Sequence, residues 1–180
     1  MTRKVLPEGE GWEGVDFVLD TSALLTGKPF PGKLWTTAGV VSELQRLGEE
    51  QLLDPILDIV LFVAQPQHTV LGEIDRVARA SGDARTLSNT DRELLALAKE
   101  KGARLVTDDY AMQNVAVSLG IPYAGIDQKE ITEKVVWGFR CKGCGRSFDE
   151  PPADCPVCGS PVIRKRKVRT RVASDASGRT

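Results

Sequence analysis

Four cysteines stand in two pairs, Cys141-Lys-Gly-Cys144 and Cys155-Pro-Val-Cys158, each followed by a glycine, Gly145 and Gly159. This is metal-ligand spacing. A CxxC knuckle places two thiolates on one ion, and the glycine relieves the tight turn. Four thiolates with ten residues between the pairs suit a closed tetrahedral site for one structural Zn²⁺. No ligand position remains for water, so this ion is expected to be structural rather than catalytic. A redox dithiol and an iron site are the alternatives. A disulfide framework would spread its cysteines through a small secreted chain, whereas all of these lie between positions 141 and 158. The module is too short for much core of its own, so the metal is expected to supply its folding energy.

A second constellation is acidic. Asp20 directly follows an apolar run, and Asp108 and Asp109 follow another that ends at Thr107. Asp91 falls in the first turn of an expected helix, and Glu43 lies on another. In a parallel α/β sheet the strand C-termini and the following helix starts share one edge, where sites form. Asp20, Asp91 and Asp108/Asp109 are therefore expected to converge. Clustered carboxylates repel one another unless cations neutralise them. Hard divalent ions, Mn²⁺ or Mg²⁺, take oxygen ligands and do this well. Such an ion can activate water and stabilise charge in phosphodiester hydrolysis. Each acid also has a plainer use: Asp20 as a helix cap, Asp91 as a favourable charge at a helix N-terminus, Glu43 as a solvated face residue. The lone histidine, His68, stands beside Pro66 in what reads as a polar loop, which excludes a histidine-pair mechanism.

Positioning these residues requires alternating strands and helices. Residues 15–19 (VDFVL) read as a buried strand, and 20–22 (DTS) can cap a short helix ending at Gly27. Residues 34–36 suggest a second strand. Val40, Val41, Leu44 and Leu47 are helically spaced and stop at Gly48. Residues 52–63 read as a helix with Pro55 in its first turn. Leu71, Ile74, Val77 and Ala78 mark another, closed by Gly82. Residues 88–90 open a helix with Leu94, Leu95 and Ala98 on one face, where Thr90 and Glu93 fit a capping box; Gly102 ends it. A strand at 103–107, a helix at 110–119 and a strand at 121–124 complete the pattern. Such alternation predicts a parallel sheet covered on both faces.

The chain has 180 residues, with 41% hydrophobic and 27% charged side chains, as in an ordinary globular protein. No apolar run approaches the roughly 20 residues of a membrane helix, and residues 1–10 carry charges, Pro7 and Gly9 rather than a secretory signal. A cytoplasmic protein with no membrane partner is expected. Net charge is −1, but Arg164, Lys165, Arg166, Lys167, Arg169 and Arg171 form a basic run with no acid until Asp175. That asymmetry suggests an arm for RNA; a solvated disordered tail is the alternative. Trp137, Phe139 and Phe148 flank the knuckles and are expected to pack beneath them, with base stacking the sharper reading.

Residues 19–24 (LDTSAL) resemble the opening motif of PIN-domain nucleases, and residues 40–44 (VVSEL) their second acidic motif. Residues 88–91 (SNTD) and 105–110 (LVTDDY) resemble the third and fourth. With a CxxC…CxxC ribbon directly after the domain, and residues 107–115 (TDDYAMQNV) closer still, the chain resembles the archaeal Nob-type ribosome-assembly endonucleases over about residues 15 to 167. The resemblance implies a PIN-like parallel sheet flanked by helices, a small C-terminal zinc ribbon, and cleavage of precursor small-subunit rRNA at the mature 3′ end within the assembling small ribosomal subunit, with other assembly factors as further partners. Carried over by position, it makes Asp20, Glu43, Asp91 and Asp109 the ligands of the catalytic Mn²⁺ or Mg²⁺, with Asp108 as the alternative to Asp109. The expected organisation is an N-terminal extension at 1–14, the nuclease domain at 15–127, a linker at 128–134, the ribbon at 135–163 and a basic tail at 164–180. The competing readings are a PIN-type ribonuclease acting on another RNA and an inactive zinc-ribbon RNA-binding scaffold.

Overall fold

Two sheets organise the computed structural model, which describes residues 14–49, 61–127 and 131–172. The first is a five-stranded parallel sheet. It contains β1 (Phe17–Leu19), β2 (Leu34–Thr36), β3 (Leu61–Val63), β4 (Arg104–Val106) and β5 (Tyr123–Ala124), in the order β3-β2-β1-β4-β5. Phe17, Val18 and Leu19 are all buried. Consecutive burial of this kind means that both faces of the central strand are covered, as parallel sheets require.

The covering helices are α1 (Thr21–Leu25), α2 (Ala38–Leu47), α3 (His68–Ser81), α4 (Asn89–Lys101) and α5 (Tyr110–Leu119). Residues Leu94 to Ala98 of α4 are all buried, as are Met112 to Ala116 of α5. A helix buried all round has partners on every side. For α5 one side is the sheet core and another is the second sheet, through contacts described below.

The second sheet is antiparallel, ordered β7-β6-β8, from β6 (Glu133–Cys141), β7 (Ser147–Phe148) and β8 (Val162–Arg171). It carries the cysteines and forms the expected small ribbon. The parallel sheet with flanking helices is likewise as anticipated.

Four local expectations change. Residues 61–63 are a strand and not the end of a helix: Leu61 is buried, the segment pairs in register with β2, and Phe62 packs on Trp35 with ring centroids 5.0 Å apart. The rest of that expected helix lies outside the described residues, as do positions 1–13 of the extension, 128–130 of the linker and 173–180 of the tail. His68 opens α3 rather than sitting in a loop. The capping box on α4 is formed by Ser88 and Asp91, not Thr90 and Glu93, because the chain turns helical at Asn89 and makes Asp91 its third residue. Finally, residues 164–171 do not trail from the ribbon. They belong to β8, the ribbon's long strand, held by its ladder with β6.

Candidate active site

The strand order reverses direction between β1 and β4, the topological switch of the sheet. Leu19 is paired with Val106 there, so the residues just beyond them meet. Asp20 follows β1 and caps α1: its Oδ1 accepts from the Ala23 N–H at 2.7 Å and from the Ser22 hydroxyl at 2.7 Å. It is buried. Burial pushes its carboxyl above the ordinary value, and the Asp108 charge adds to the rise, while hydrogen bonds from Thr107, Ser22 and the Ala23 N–H oppose it. A buried carboxylate with a like charge beside it is a group that a divalent cation would stabilise.

Glu43 and Asp91 are brought toward this edge from two helices. The Thr21 hydroxyl, one residue after Asp20, donates to Glu43 Oε2 at 2.5 Å and so ties the start of α1 to α2. Helix α2 also lies close on the start of α4. A Cβ built on Gly39 would stand 2.5 Å from Thr90 Oγ1, so only glycine permits this approach. The next residue is Asp91, whose Oδ2 accepts from the Ser88 N–H at 2.7 Å. Its cap role and its place at the edge are therefore compatible.

Asp108 and Asp109 point to different tasks. Asp108 Oδ1 accepts from the Ile126 N–H at 2.7 Å, which fixes the carboxylate at the end of β5, and its charge acts on Asp20. Asp109 caps α5, with Oδ1 accepting from the N–H groups of Ala111 at 2.6 Å and Met112 at 3.4 Å. It also lines a cleft on the side facing the ribbon. The Asp108 charge bears on Asp20, and Asp109 caps its helix as Asp20 and Asp91 do theirs, so both acids of the pair stay candidate ligands.

Among the described residues, only the four thiols form a group of three or more candidate ligands within 4.8 Å of one another. The carboxylates are spaced more widely. That spacing suits a hard ion that keeps several of its waters, as Mg²⁺ does. At the same edge Thr37, which follows β2, has a buried hydroxyl with no partner among the described residues, a further oxygen donor for such a hydrated group.

The sulfurs of Cys141 and Cys158 lie 3.4 Å apart, and those of Cys144 and Cys155 3.6 Å apart. A tetrahedron with Zn–S bonds of about 2.3 Å has edges of roughly 3.8 Å, so the four sulfurs fit one zinc. The N–H groups of Gly143 and Cys144 both point at the Cys141 sulfur, the first at 3.3 Å, as a thiolate requires. Hydrogen bonds from the Ser160 side chain and backbone draw the Cys158 thiol down to about 6.

The two domains share a polar hinge point that sequence reading missed. Asp83, 1% exposed, accepts from the Ser81 hydroxyl at 2.8 Å, from Asn114 Nδ2 at 2.6 Å and from the Arg164 guanidinium of β8. The Asn114 amide also donates to the Val135 carbonyl at 2.7 Å and accepts from the Val135 N–H at 2.8 Å. Arg164 lies on the Trp137 ring, 4.2 Å from its centroid. A Cβ on Gly82 would stand 2.8 Å from the Trp137 carbonyl oxygen, and its φ of +79° also favours glycine. Trp137 thus packs at the domain junction rather than beneath the zinc loops. Arg164 is occupied by the protein itself. The remaining residues of the basic run, Lys165, Arg166, Lys167, Arg169 and Arg171, are exposed.

A family model described as "PIN domain of ribonuclease" matches residues 17–100. Together with the parallel sheet and the acids at its switch point, it defines the class as a PIN-domain ribonuclease. "Ribonuclease VapC1" of Thermoplasma acidophilum is 35% identical over 163 residues, 88% of this chain and 84% of that protein. "Endoribonuclease Nob1" of Archaeoglobus fulgidus is 39% identical over 83% of this chain and 90% of its own length. The protein of the same name from Pyrococcus abyssi is 36% identical over 81% of this chain and 90% of its length. This chain belongs to the Nob-type family of PIN-domain endoribonucleases. No helix among its described residues is long and apolar enough to cross a membrane.

Proposed function

We propose that the chain is a divalent-metal-dependent endoribonuclease that hydrolyses precursor small-subunit rRNA to create its mature 3′ end. Its setting is the assembling small ribosomal subunit in the cytoplasm, alongside other assembly factors. The observation that carries the chemistry is Asp20, buried beside Asp108 at the sheet's switch point. The rRNA substrate is supported by similarity to proteins named "Endoribonuclease Nob1" across both the nuclease domain and the ribbon.

In this reading Asp20, Glu43, Asp91 and an acid of the Asp108/Asp109 pair hold Mn²⁺ or Mg²⁺. The bound ion supplies an activated water and neutralises charge on the phosphate under attack. Thr21 orients Glu43, and Ser88 orients Asp91, so that both carboxylates reach the site in fixed rotamers. Cys141, Cys144, Cys155 and Cys158 hold one structural zinc, and the exposed arginines of β8 bind the RNA backbone.

The test is cleavage of a synthetic precursor RNA spanning the 3′ end, with Mn²⁺, by the native chain and by Asp20→Asn. Attack by water does not use the RNA 2′-hydroxyl. The products should therefore carry a 5′-phosphate and a 3′-hydroxyl, and a 2′-deoxy sugar at the cut should still allow cleavage. Asp20→Asn should abolish cutting while RNA binding survives. A 2′,3′-cyclic phosphate end would overturn the carboxylate mechanism. Equal cutting of unrelated RNAs would favour the second reading, a PIN ribonuclease of other substrate, which the likeness to "Ribonuclease VapC1" supports.

A further inference from the structure

The ladder between β6 and β8 contains a bulge that sorts the basic residues by type. Val136 pairs with Val168, but Trp137 pairs with Arg166, so Lys167 is left over. Directly opposed residues point to the same face of a sheet, and alternate residues of one strand share a face. Phe139 is opposed to Arg164, Trp137 to Arg166, Val135 to Arg169 and Glu133 to Arg171. All four arginines therefore stand on one face. Without the bulge, alternation would send Arg169 and Arg171 to the opposite side. Lys165 does lie on that opposite side, facing Gly138, and Lys167 is paired with Asp149 at 2.9 Å.

The arginine face is the one turned to the nuclease domain. Between them lies a cleft of about 640 Å³, within the roughly 300–1,000 Å³ usual for ligand clefts. Arg164 and Arg169 line it together with Val135 and Trp137, and Asp109 and Tyr110 form its opposite wall. The cleft thus begins at the residue directly after the acid edge. Of its three acids, Asp83 is met by Arg164 and Glu133 by Arg169 at 2.8 Å, which leaves Asp109, at the acid edge, without a cation in ion-pair distance among the described residues. Away from Asp109 the lining is partly aromatic. Tyr110 offers a half-exposed ring, and the Arg164 guanidinium lies over Trp137. Outside it, among the described residues, no acid lies within ion-pair distance of Arg166 or Arg171.

We propose that this cleft is the track for the unpaired RNA segment adjoining the cut: a base enters its aromatic part and stacks on Tyr110, while the phosphates run along Arg166 and Arg171. The inference rests on the ribonuclease reading for its ligand. Aromatic rings and guanidinium planes are the platforms that single-stranded RNA uses. Arg166 and Arg171 oppose Trp137 and Glu133, four residues apart on β6, so about 13 Å separates them along the strand, roughly two steps between neighbouring phosphates of an extended strand.

The experiment is fluorescence anisotropy with a labelled, unstructured ten-nucleotide RNA on the zinc-loaded full chain carrying Asp20→Asn, which prevents cutting. Arg166→Ala with Arg171→Ala is compared with Lys165→Ala with Lys167→Ala, two substitutions that remove equal charge. The arginine pair should weaken binding by about tenfold or more and flatten the log–log salt slope by roughly 1.4. The lysine pair should cost much less. Tyr110→Ala should weaken binding by about tenfold, and Tyr110→Phe should preserve it. Equal losses from the two pairs, an unaffected Tyr110→Ala, or no RNA binding at all would overturn the track. A cleavage assay with Asp20 restored separates the two claims. Cutting without the binding pattern leaves the nuclease reading standing and removes the track; the pattern without cutting does the reverse.

Discussion

Arg164 of the ribbon donates to the buried Asp83 carboxylate of the nuclease domain while lying over the Trp137 ring. Asp83 is 2% exposed at its side chain and Arg164 33%. Removing the guanidinium would leave a buried carboxylate with only Ser81 and Asn114 as side-chain donors. Arg164→Ala should therefore cost about 2 kcal/mol of stability, less than the roughly 3–5 kcal/mol for breaking a fully buried pair, because this arginine is partly hydrated. Denaturant unfolding checks this. Arg166→Ala is the control and should lie within about 0.5 kcal/mol of the native chain; equal effects would deny the pairing its role.

Asp20 should make stability depend on pH in a stated direction. Its folded pKa is raised above the ordinary value of 3.8, so the folded chain binds this proton more tightly than the unfolded one. Stability then falls as pH rises from about 3.8 through the raised value, and the full penalty persists above it. Without divalent catalytic ion at neutral pH, Asp20→Asn should raise Tm, and the gain should disappear below about pH 3.8. Added Mn²⁺ should stabilise the native chain more than the variant. A variant less stable than the native chain at neutral pH would contradict this account.

The paired aspartates should separate kinetically. Asp108 acts on Asp20, whereas Asp109 caps α5. Asparagine is as good a cap as aspartate. Asp109→Asn should keep measurable cleavage, while Asp108→Asn should reduce kcat by about a hundredfold or more, the scale of losing a group that stabilises transition-state charge. Single-turnover rates on the precursor RNA decide it, and the reverse ranking would assign the metal-binding role to Asp109.

Zinc should be stoichiometric and structural. Elemental analysis should find about one zinc per chain, and the spectrum should show no iron–sulfur absorption. Cys158→Ser should lose the ion and unfold the ribbon. The nuclease domain has its own core of buried strands and helices, so its helical circular dichroism should largely remain. Retention of the ribbon fold without metal would refute the structural assignment.

Much of this architecture was legible because its signals are local. Glycines at 48, 82, 102 and 120 end helices in the left-handed conformation, and cysteine spacing alone located the thiol cluster. The strand at 61–63 was not legible, because a short apolar run has no period that separates strand from helix and its pairing with β2 is non-local. The same holds for β8: six cations in eight positions look solvated until the partner strand is known. Asp20 could be identified from its place after a strand. That the residues after β5 hold Asp108 was not legible, because they are distant in sequence. Nothing local marks Asp83 or Asn114, whose partners are distant in sequence.

The Asn114 side chain grips Val135 by both its N–H and its carbonyl, as a neighbouring strand would. The ribbon is consequently anchored inside its own strands, at Val135 of β6 and at Arg164 of β8, and not only by the tether that leads into it. Lengthening the tether by a few residues would cost only a little loop entropy and would leave the anchor where it is. Exchanging Asn114 for a side chain with only one of the two functions would instead loosen one of these anchors, with Arg164 still held by Asp83. The setting of the ribbon against the nuclease domain is thus fixed by an amide gripping one strand and a guanidinium on its neighbour.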